Sequence, residues 1–415
     1  MIFAAVILGG VLLLLGLSRP AAGVGTLAAA DMIIMEGLPL GGRTVAVESL
    51  FLLYMAAVPL VRWLVDGQST LPQPRSLRPL ALFALLFAIA STASTLAGGM
   101  PPEGARVLVR MPLWALFAAV PAALLRSTRD LQTTASIIVG ASLVLLAGSL
   151  LQGLPETNEQ GGIWRVGYKN PLGHGLALGC ILAVCISIHS RHRILLRFIA
   201  VSLACGTVYT QSRGGMAAGF AGLAVTWWLA SRGTAKRTAQ LACLAAAPVL
   251  LLTVVTGLAG QAMDAVVHQE ASSNLYRYQI IILSLRLFFA HPILGVGLGN
   301  LESATGSHSS GLGSLTTEII AEDNDYARIL AELGTMGVLV LGASIWAFTA
   351  QLRAAIRRDR MAAGSPDVAR IMGASVGTFL IILGLFESVL FSPTGWFYVG
   401  FTWACIGARK CAFSR

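Results

Sequence analysis

The chain has 415 residues, 56% of them apolar and 12% charged, with a formal charge of +10 and a mean hydropathy of +0.76. Soluble globular domains carry about a quarter charged residues, so these figures exclude a water-soluble enzyme, and the apolar content excludes a disordered chain. What remains is a polytopic membrane protein, because a spanning helix needs about 20 mostly apolar residues and the sequence offers such runs repeatedly.

In chain order the apolar runs give about twelve candidate spans, at 2–18, 43–63, 78–97, 107–125, 131–153, 171–189, 194–211, 214–231, 238–258, 326–351, 368–390 and 393–409. The apolar segment after Arg19-Pro20 either lengthens the first span or re-enters the membrane. A cleaved signal peptide is the competing reading of residues 1–18, but no basic segment precedes the run and no A-x-A site follows it directly. With the N-terminus inside, 19 of the 29 basic residues fall in inner loops. Basic residues near span ends set orientation, so both termini are expected in the cytoplasm. The positive charge is then largely topology, and no nucleic-acid partner is expected. The fold expected is all-α with about twelve transmembrane helices. A nine-span region covers 1–258, an outer-face loop 259–325 and a three-span region 326–415. The six cysteines fall in spans or in the cytoplasmic tail, so no disulfide is expected, and their spacing fits no zinc pattern.

Only the connection at 259–325 is long, and a loop of that length in a compact protein is usually functional. Within it the apolar run 276–289 is expected as a helix on or dipping into the membrane interface, ended by His291-Pro292.

Arginine near a bilayer needs a reason, since burying it at a helix centre costs about 2.5 to 3.5 kcal/mol on insertion scales. Arg213, in Gln211-Ser212-Arg213-Gly214-Gly215, stands between two spans that leave almost no loop. It reads either as a snorkelling anchor or as a planar cation that holds phosphate oxygens, with glycines permitting close approach. Arg277 opens the interfacial helix, and Arg286 falls on the opposite face of it, so Arg277 is the candidate of the two. Arg106 and Arg110, spaced i,i+4, either neutralise a diphosphate or form an ordinary basic helix end; Lys169-Asn170 has the same two readings. Glu318, Glu322, Asp323 and Asp325, with Asn324 among them, precede the tenth span. Acids suit a helix N-terminus, and a carboxylate there is also a candidate general base. Four oxygen ligands could instead bind a divalent cation, but the spacing is not that of an EF-hand loop. Glu332, two turns further on, is expected to meet an arginine or the site. His174 lies near the outer end of the sixth span, and His268, His291 and His308 lie in the long loop, with no H-E-x-x-H arrangement. No P-loop, dinucleotide fingerprint or G-x-S-x-G occurs, so no cofactor and no metal are expected.

Three segments in this order carry a resemblance: Thr210-Gln211-Ser212-Arg213-Gly214-Gly215; Arg277 followed by Phe289-Ala290-His291-Pro292-Ile293-Leu294-Gly295-Val296-Gly297-Leu298-Gly299-Asn300; and Asn324-Asp325-Tyr326-Ala327-Arg328-Ile329-Leu330-Ala331-Glu332-Leu333-Gly334-Thr335-Met336-Gly337. Together the chain resembles the bacterial O-antigen ligase and polymerase superfamily, whose members are GT-C-like membrane glycosyltransferases of about twelve spans with one large periplasmic loop between spans nine and ten. The resemblance implies a bacterial inner-membrane enzyme acting on its periplasmic face. The implied donor is a glycan on undecaprenyl diphosphate, the acceptor a glycan or lipid A core, and membrane lipids surround it. Arg213 and Arg277 match the arginines associated with the diphosphate. The ligases carry a histidine where this chain has Asp323, which leaves Asp323, another group such as His308, or Glu332 to take the acceptor proton. Arg106, Arg110, Lys169, Asn170, Arg286, His308, Asn324 and Arg328 are the further candidates for holding substrate. The departure at Asp323 favours a polysaccharide polymerase, with ligation to lipid A core as the alternative. A twelve-helix secondary transporter is the rival of a different class; acids or broken helices at mid-membrane would mark it.

Overall fold

The computed structural model describes residues 17–33, 38–40, 43–45, 57–58, 74–152, 169–210, 212–231, 273–301, 304, 324–363 and 366–408. A two-stranded antiparallel ribbon pairs β1 (Leu38–Leu40) with β2 (Arg43–Val45). The other described elements are helices: α1 (Pro20–Ile33), α2 (Pro74–Ala97), α3 (Pro102–Leu124), α4 (Thr128–Gln152), α5 (Lys169–Ser187), α6 (Arg193–Tyr209), α7 (Arg213–Ala230), α8 (Ser273–Ala290), α9 (Asp325–Ala363), α10 (Val368–Leu383) and α11 (Pro393–Gly407). Among the described residues five helical stretches are long and apolar enough to cross a membrane, at 78–97, 102–124, 128–151, 170–187 and 325–362. The protein is a multi-pass membrane protein, and its exposed apolar faces fit that setting: Ile89 and Leu96 on α2, and Ile194, Leu195, Phe198 and Val201 on α6, point away from the bundle.

Nine of the expected spans coincide with α2 to α7 and α9 to α11. The spans at 2–18 and 238–258, and most of 43–63, lie outside the described residues. Two expectations are corrected. Residues 43–45 form β2 rather than the start of a helix. The segment after Arg19 is a helix of its own, α1, opened by Pro20, whose missing N–H is tolerated at a helix start. It packs on α4, where the Thr134 hydroxyl donates to the Ala21 carbonyl at 2.8 Å.

α10 sits at the centre, packed against α7 and α11, because apart from Arg370 in its first turn its sequence is apolar or small on every face. Small residues let backbones approach, as membrane bundles require. A Cβ at Gly222 of α7 would lie 3.1 Å from the Ser375 carbonyl of α10, and beside it Thr226 and Ser375 share a hydrogen bond of 2.7 Å.

α9 runs a dozen residues past the expected end of its span, and Arg353, Arg357, Arg358 and Arg360 stand exposed on the extension. Here Asp359 accepts from the Asp367 N–H at 3.0 Å and lies 3.7 Å from Arg370. Arg370 in turn donates to the carbonyls of Cys405 and Ala408, while Asp367 caps α10 and accepts from the Thr128 hydroxyl. This end of the bundle is thus tied together by charged groups that each have a partner.

In its third turn α9 breaks. Gly334 adopts φ 60°, ψ −151°, a region that only glycine enters readily. The break releases four backbone groups, and the segment after α8 takes all four. The carbonyls of Ala331 and Glu332 accept from Val296 and Gly297 at 2.9 and 3.2 Å, and the N–H groups of Thr335 and Met336 donate to Pro292 and Ile293 at 2.9 and 3.2 Å. The fit leaves no room for side chains: a Cβ at Gly295 would meet the Glu332 carbonyl at 2.4 Å. A broken helix in a membrane is tolerated where its freed groups are satisfied inside the protein, and these four are.

Candidate functional site

The opposite end of the bundle gathers the starts of α5, α7 and α9, the turn 98–101, the segment 291–301 and the turn 384–392. Asn324 caps α9, accepting from the Ala327 N–H at 2.9 Å, and its amide donates to the Leu385 carbonyl at 3.0 Å. Asp325 is 1% exposed and accepts from the N–H groups of Val389 and Leu390, both at 2.8 Å, and from the Ser388 hydroxyl at 3.3 Å. Two adjacent residues at one helix start therefore fix the whole 384–392 turn. Tyr326 adds a 2.6 Å hydrogen bond to the Ile381 carbonyl.

One turn along, Arg328 and Glu332 form a buried ion pair at 3.0 Å. The second Glu332 oxygen accepts from the Leu301 N–H at 3.4 Å, and the Arg328 guanidinium lies 4.2 Å from the Phe391 ring centroid. Glu332 has met its arginine, as expected of an acid so placed. Both of its oxygens are engaged and it is 1% exposed, so within the described structure it ties α9 to the segment before Leu301.

Arg213 is exposed at the first position of α7, behind Ser212, whose hydroxyl caps the helix by accepting from the Gly215 N–H at 3.3 Å. A helix N-terminus and a guanidinium in one place favour an anion. The turn is tight because glycines pack against one another: a Cβ at Gly173 of α5 would lie 2.3 Å from the Ser212 Cβ. A Cβ at Gly214 would fall 2.8 Å from the Phe386 Cβ and 3.3 Å from His174 Nε2. His174 and Glu387 face each other there, Nε2 to Oε1 at 3.9 Å, with side chains 15% and 25% exposed.

The turn 384–392 thus touches the first sequence segment through Phe386 and is held by the third through Asn324 and Asp325, while the second is interlocked with the third at the Gly334 break. Asn300 extends the contact to the 98–101 turn by donating to the Gly98 carbonyl at 2.8 Å. An apolar cleft of about 170 Å³ runs from this end between α2, α9, α10 and α11, with Asp325 and Tyr326 at its polar rim and Leu82, Leu341, Phe348 and Trp403 along it.

Arg106 is exposed and paired with Glu103 at 2.9 Å, and Arg110 is exposed beside it. Their helix α3 packs on α2 and α11, and its start abuts the 291–301 segment, where a Cβ at Gly104 would run into the Leu298 carbonyl; the helix of Arg213 packs on α5 and α10. Arg286 is exposed on α8, which turns Ile280, Leu283 and Leu287 toward Ala327 and Ala331 of α9. Asn170 is half-buried in the first turn of α5, and Asn324 and Arg328 act within the protein as described. Arg277 lies in α8 and Lys169 opens α5, their side chains outside the described residues, as are Asp323 and His308 entirely. Sequence reasoning passed over the meeting of His174 with Glu387. The signal was present separately in each, as a histidine near a span end and an acid within a span.

No curated protein matches the chain. Residues 198–342, about a third of the chain, match the model of the family described as O-antigen ligase. The matched stretch holds Arg213, Arg277, the 291–301 segment and the broken start of α9, and it supports the resemblance of the chain to the O-antigen ligase and polymerase superfamily.

Proposed function

We propose that the protein is an inner-membrane glycosyltransferase that transfers or polymerises an undecaprenyl diphosphate-linked glycan on the periplasmic face. The observation that carries this reading is the convergence of three segments, far apart in the chain, on one bundle end around the 384–392 turn. Arg213 and Arg277 hold the diphosphate and stabilise the charge that develops on it as the glycosidic bond breaks, a contribution that grows in a water-poor site. The apolar cleft suits the polyprenyl chain, which has no polar group to satisfy along its length. The transfer inverts the anomeric centre in a single displacement. It needs no divalent cation, because the two guanidinium groups supply the positive charge at the leaving group. Asp323 in place of the ligase histidine favours a growing glycan over lipid A core as acceptor.

The test is deletion of the gene in its host, followed by analysis of the surface glycan. Loss of chain length with attachment retained supports a polymerase, and loss of attachment with free lipid-linked polymer supports the ligase reading. Complementation with Arg213→Ala should leave the defect in place, with about 10²- to 10³-fold less product. Normal glycan from that variant, inserted at wild-type level, would sink the diphosphate assignment.

A further inference from the structure

We propose that His174 and Glu387 together take the proton of the acceptor hydroxyl. This rests on the glycosyl-transfer reading and gives its missing base to two residues outside the matched segment 198–342.

The geometry is specific. Glu387 lies in the 384–392 turn and His174 in the second turn of α5, and the two heads meet at 3.9 Å against Gly214, the residue next to Arg213. A Cβ at position 214 would stand 2.8 Å from the Phe386 Cβ and 3.3 Å from His174 Nε2, so glycine there lets the α7 start approach the imidazole closely. The turn that carries Glu387 is unwound, yet fixed by three hydrogen bonds to the Asp325 carboxylate and one from Asn324. A general base must be held to within a fraction of an ångström of its proton, and this frame supplies that. Among the described side chains, the charged groups beside the imidazole are Glu387 from the turn and, next to Gly214, Arg213 at the start of α7. The charges of the other packed helices lie at the far end of the bundle: Arg129 and Asp130 of α4, Arg193 and Arg197 of α6, and Arg370 of α10.

In the step, the acceptor oxygen bonds to the anomeric carbon as the bond from that carbon to the diphosphate oxygen breaks. The electron pair of the broken bond leaves with the diphosphate, whose charge faces Arg213. The hydroxyl proton passes to the His174–Glu387 pair. Glu387 and His174 come from separate elements, so closure of the pair depends on the Asp325 clamp.

The experiment uses the full-length purified protein in lipid nanodiscs with an undecaprenyl diphosphate-linked glycan, and measures kcat and KM for the wild type, His174→Ala, His174→Gln, Glu387→Gln, Glu387→Ala and Asp323→Asn. The inference expects kcat to fall about 10²-fold or more in the His174 and Glu387 variants, with donor KM within about threefold of wild type. It also expects added imidazole to restore part of the rate to His174→Ala and formate to Glu387→Ala. Folded His174→Gln and Glu387→Gln proteins with kcat within tenfold of wild type overturn it, as does a loss seen only in donor KM. Loss of kcat in Asp323→Asn alone overturns it in favour of Asp323. Wild-type protein that forms no product from this donor sinks the glycosyl-transfer reading beneath it.

Discussion

A carboxylate 1% exposed in a membrane-embedded helix persists only with its charge matched, and Glu332 is matched one turn away by Arg328 and again by the Leu301 N–H. Removing one member of a buried pair strands the other, at a cost of about 3 to 5 kcal/mol, whereas apolar replacement of both is often neutral. Glu332→Gln is therefore expected to lower the unfolding temperature in detergent by several degrees, and the double variant Arg328→Met/Glu332→Leu to recover most of the loss. Superimposable melting curves for wild type and Glu332→Gln would remove the pair from the list of stabilising contacts. At this scale the sequence was partly legible. An acid two turns into a span demanded a partner, and Arg328 stood at the i,i+4 position. Asn324 caps α9 locally through the Ala327 N–H, but its second bond, to the Leu385 carbonyl in a turn distant in the chain, was not legible. The His174–Glu387 contact was hidden for the same reason: no periodicity relates residues on different helices.

Among the elements, α9 is the informative one. Its start after an Asn-Asp pair was legible from helix-capping rules, and its span from hydropathy. The break was not, since an isolated glycine inside an apolar run is ordinary and only the 292–297 segment reveals that the ladder is exchanged there. Two glycines of this helix make the contrast testable. Gly334 has a left-handed φ, and a Cβ there would stand 2.7 Å from the Ile293 carbonyl, so Gly334→Ala should give little folded protein. Gly342, with nothing within 4 Å of its Cβ position, should tolerate alanine and gain up to about 1 kcal/mol from helix propensity. Size-exclusion profiles and melting curves of the two variants decide it. Equal behaviour would mean that the exchange of hydrogen bonds at the break does not constrain the fold.

For the whole molecule, charge and hydropathy located most helices that the structure describes and separated the two ends of the bundle. They left out α1, because Pro20 opens a new helix where the sequence offered only an extension or a re-entry. They also could not show that Arg106 and Arg110 sit on a helix that packs away from α7, since packing partners are not encoded in span order. The orientation is open to direct measurement. In a cysteine-free background Glu103→Cys should react with a membrane-impermeant thiol reagent added to the periplasmic side, and Arg357→Cys only after the membrane is permeabilised; the reverse pattern would invert the topology. Excess EDTA should leave the rate of transfer unchanged if guanidinium groups alone carry the leaving-group charge. The most direct measurement is incubation of the purified protein with an undecaprenyl diphosphate-linked oligosaccharide, followed by mass analysis of the glycan. The account predicts products extended by whole oligosaccharide units with release of undecaprenyl diphosphate, and at least about 10²-fold less of both with Arg213→Ala. Unchanged donor with the wild type, or equal turnover by the wild type and Arg213→Ala, would contradict it.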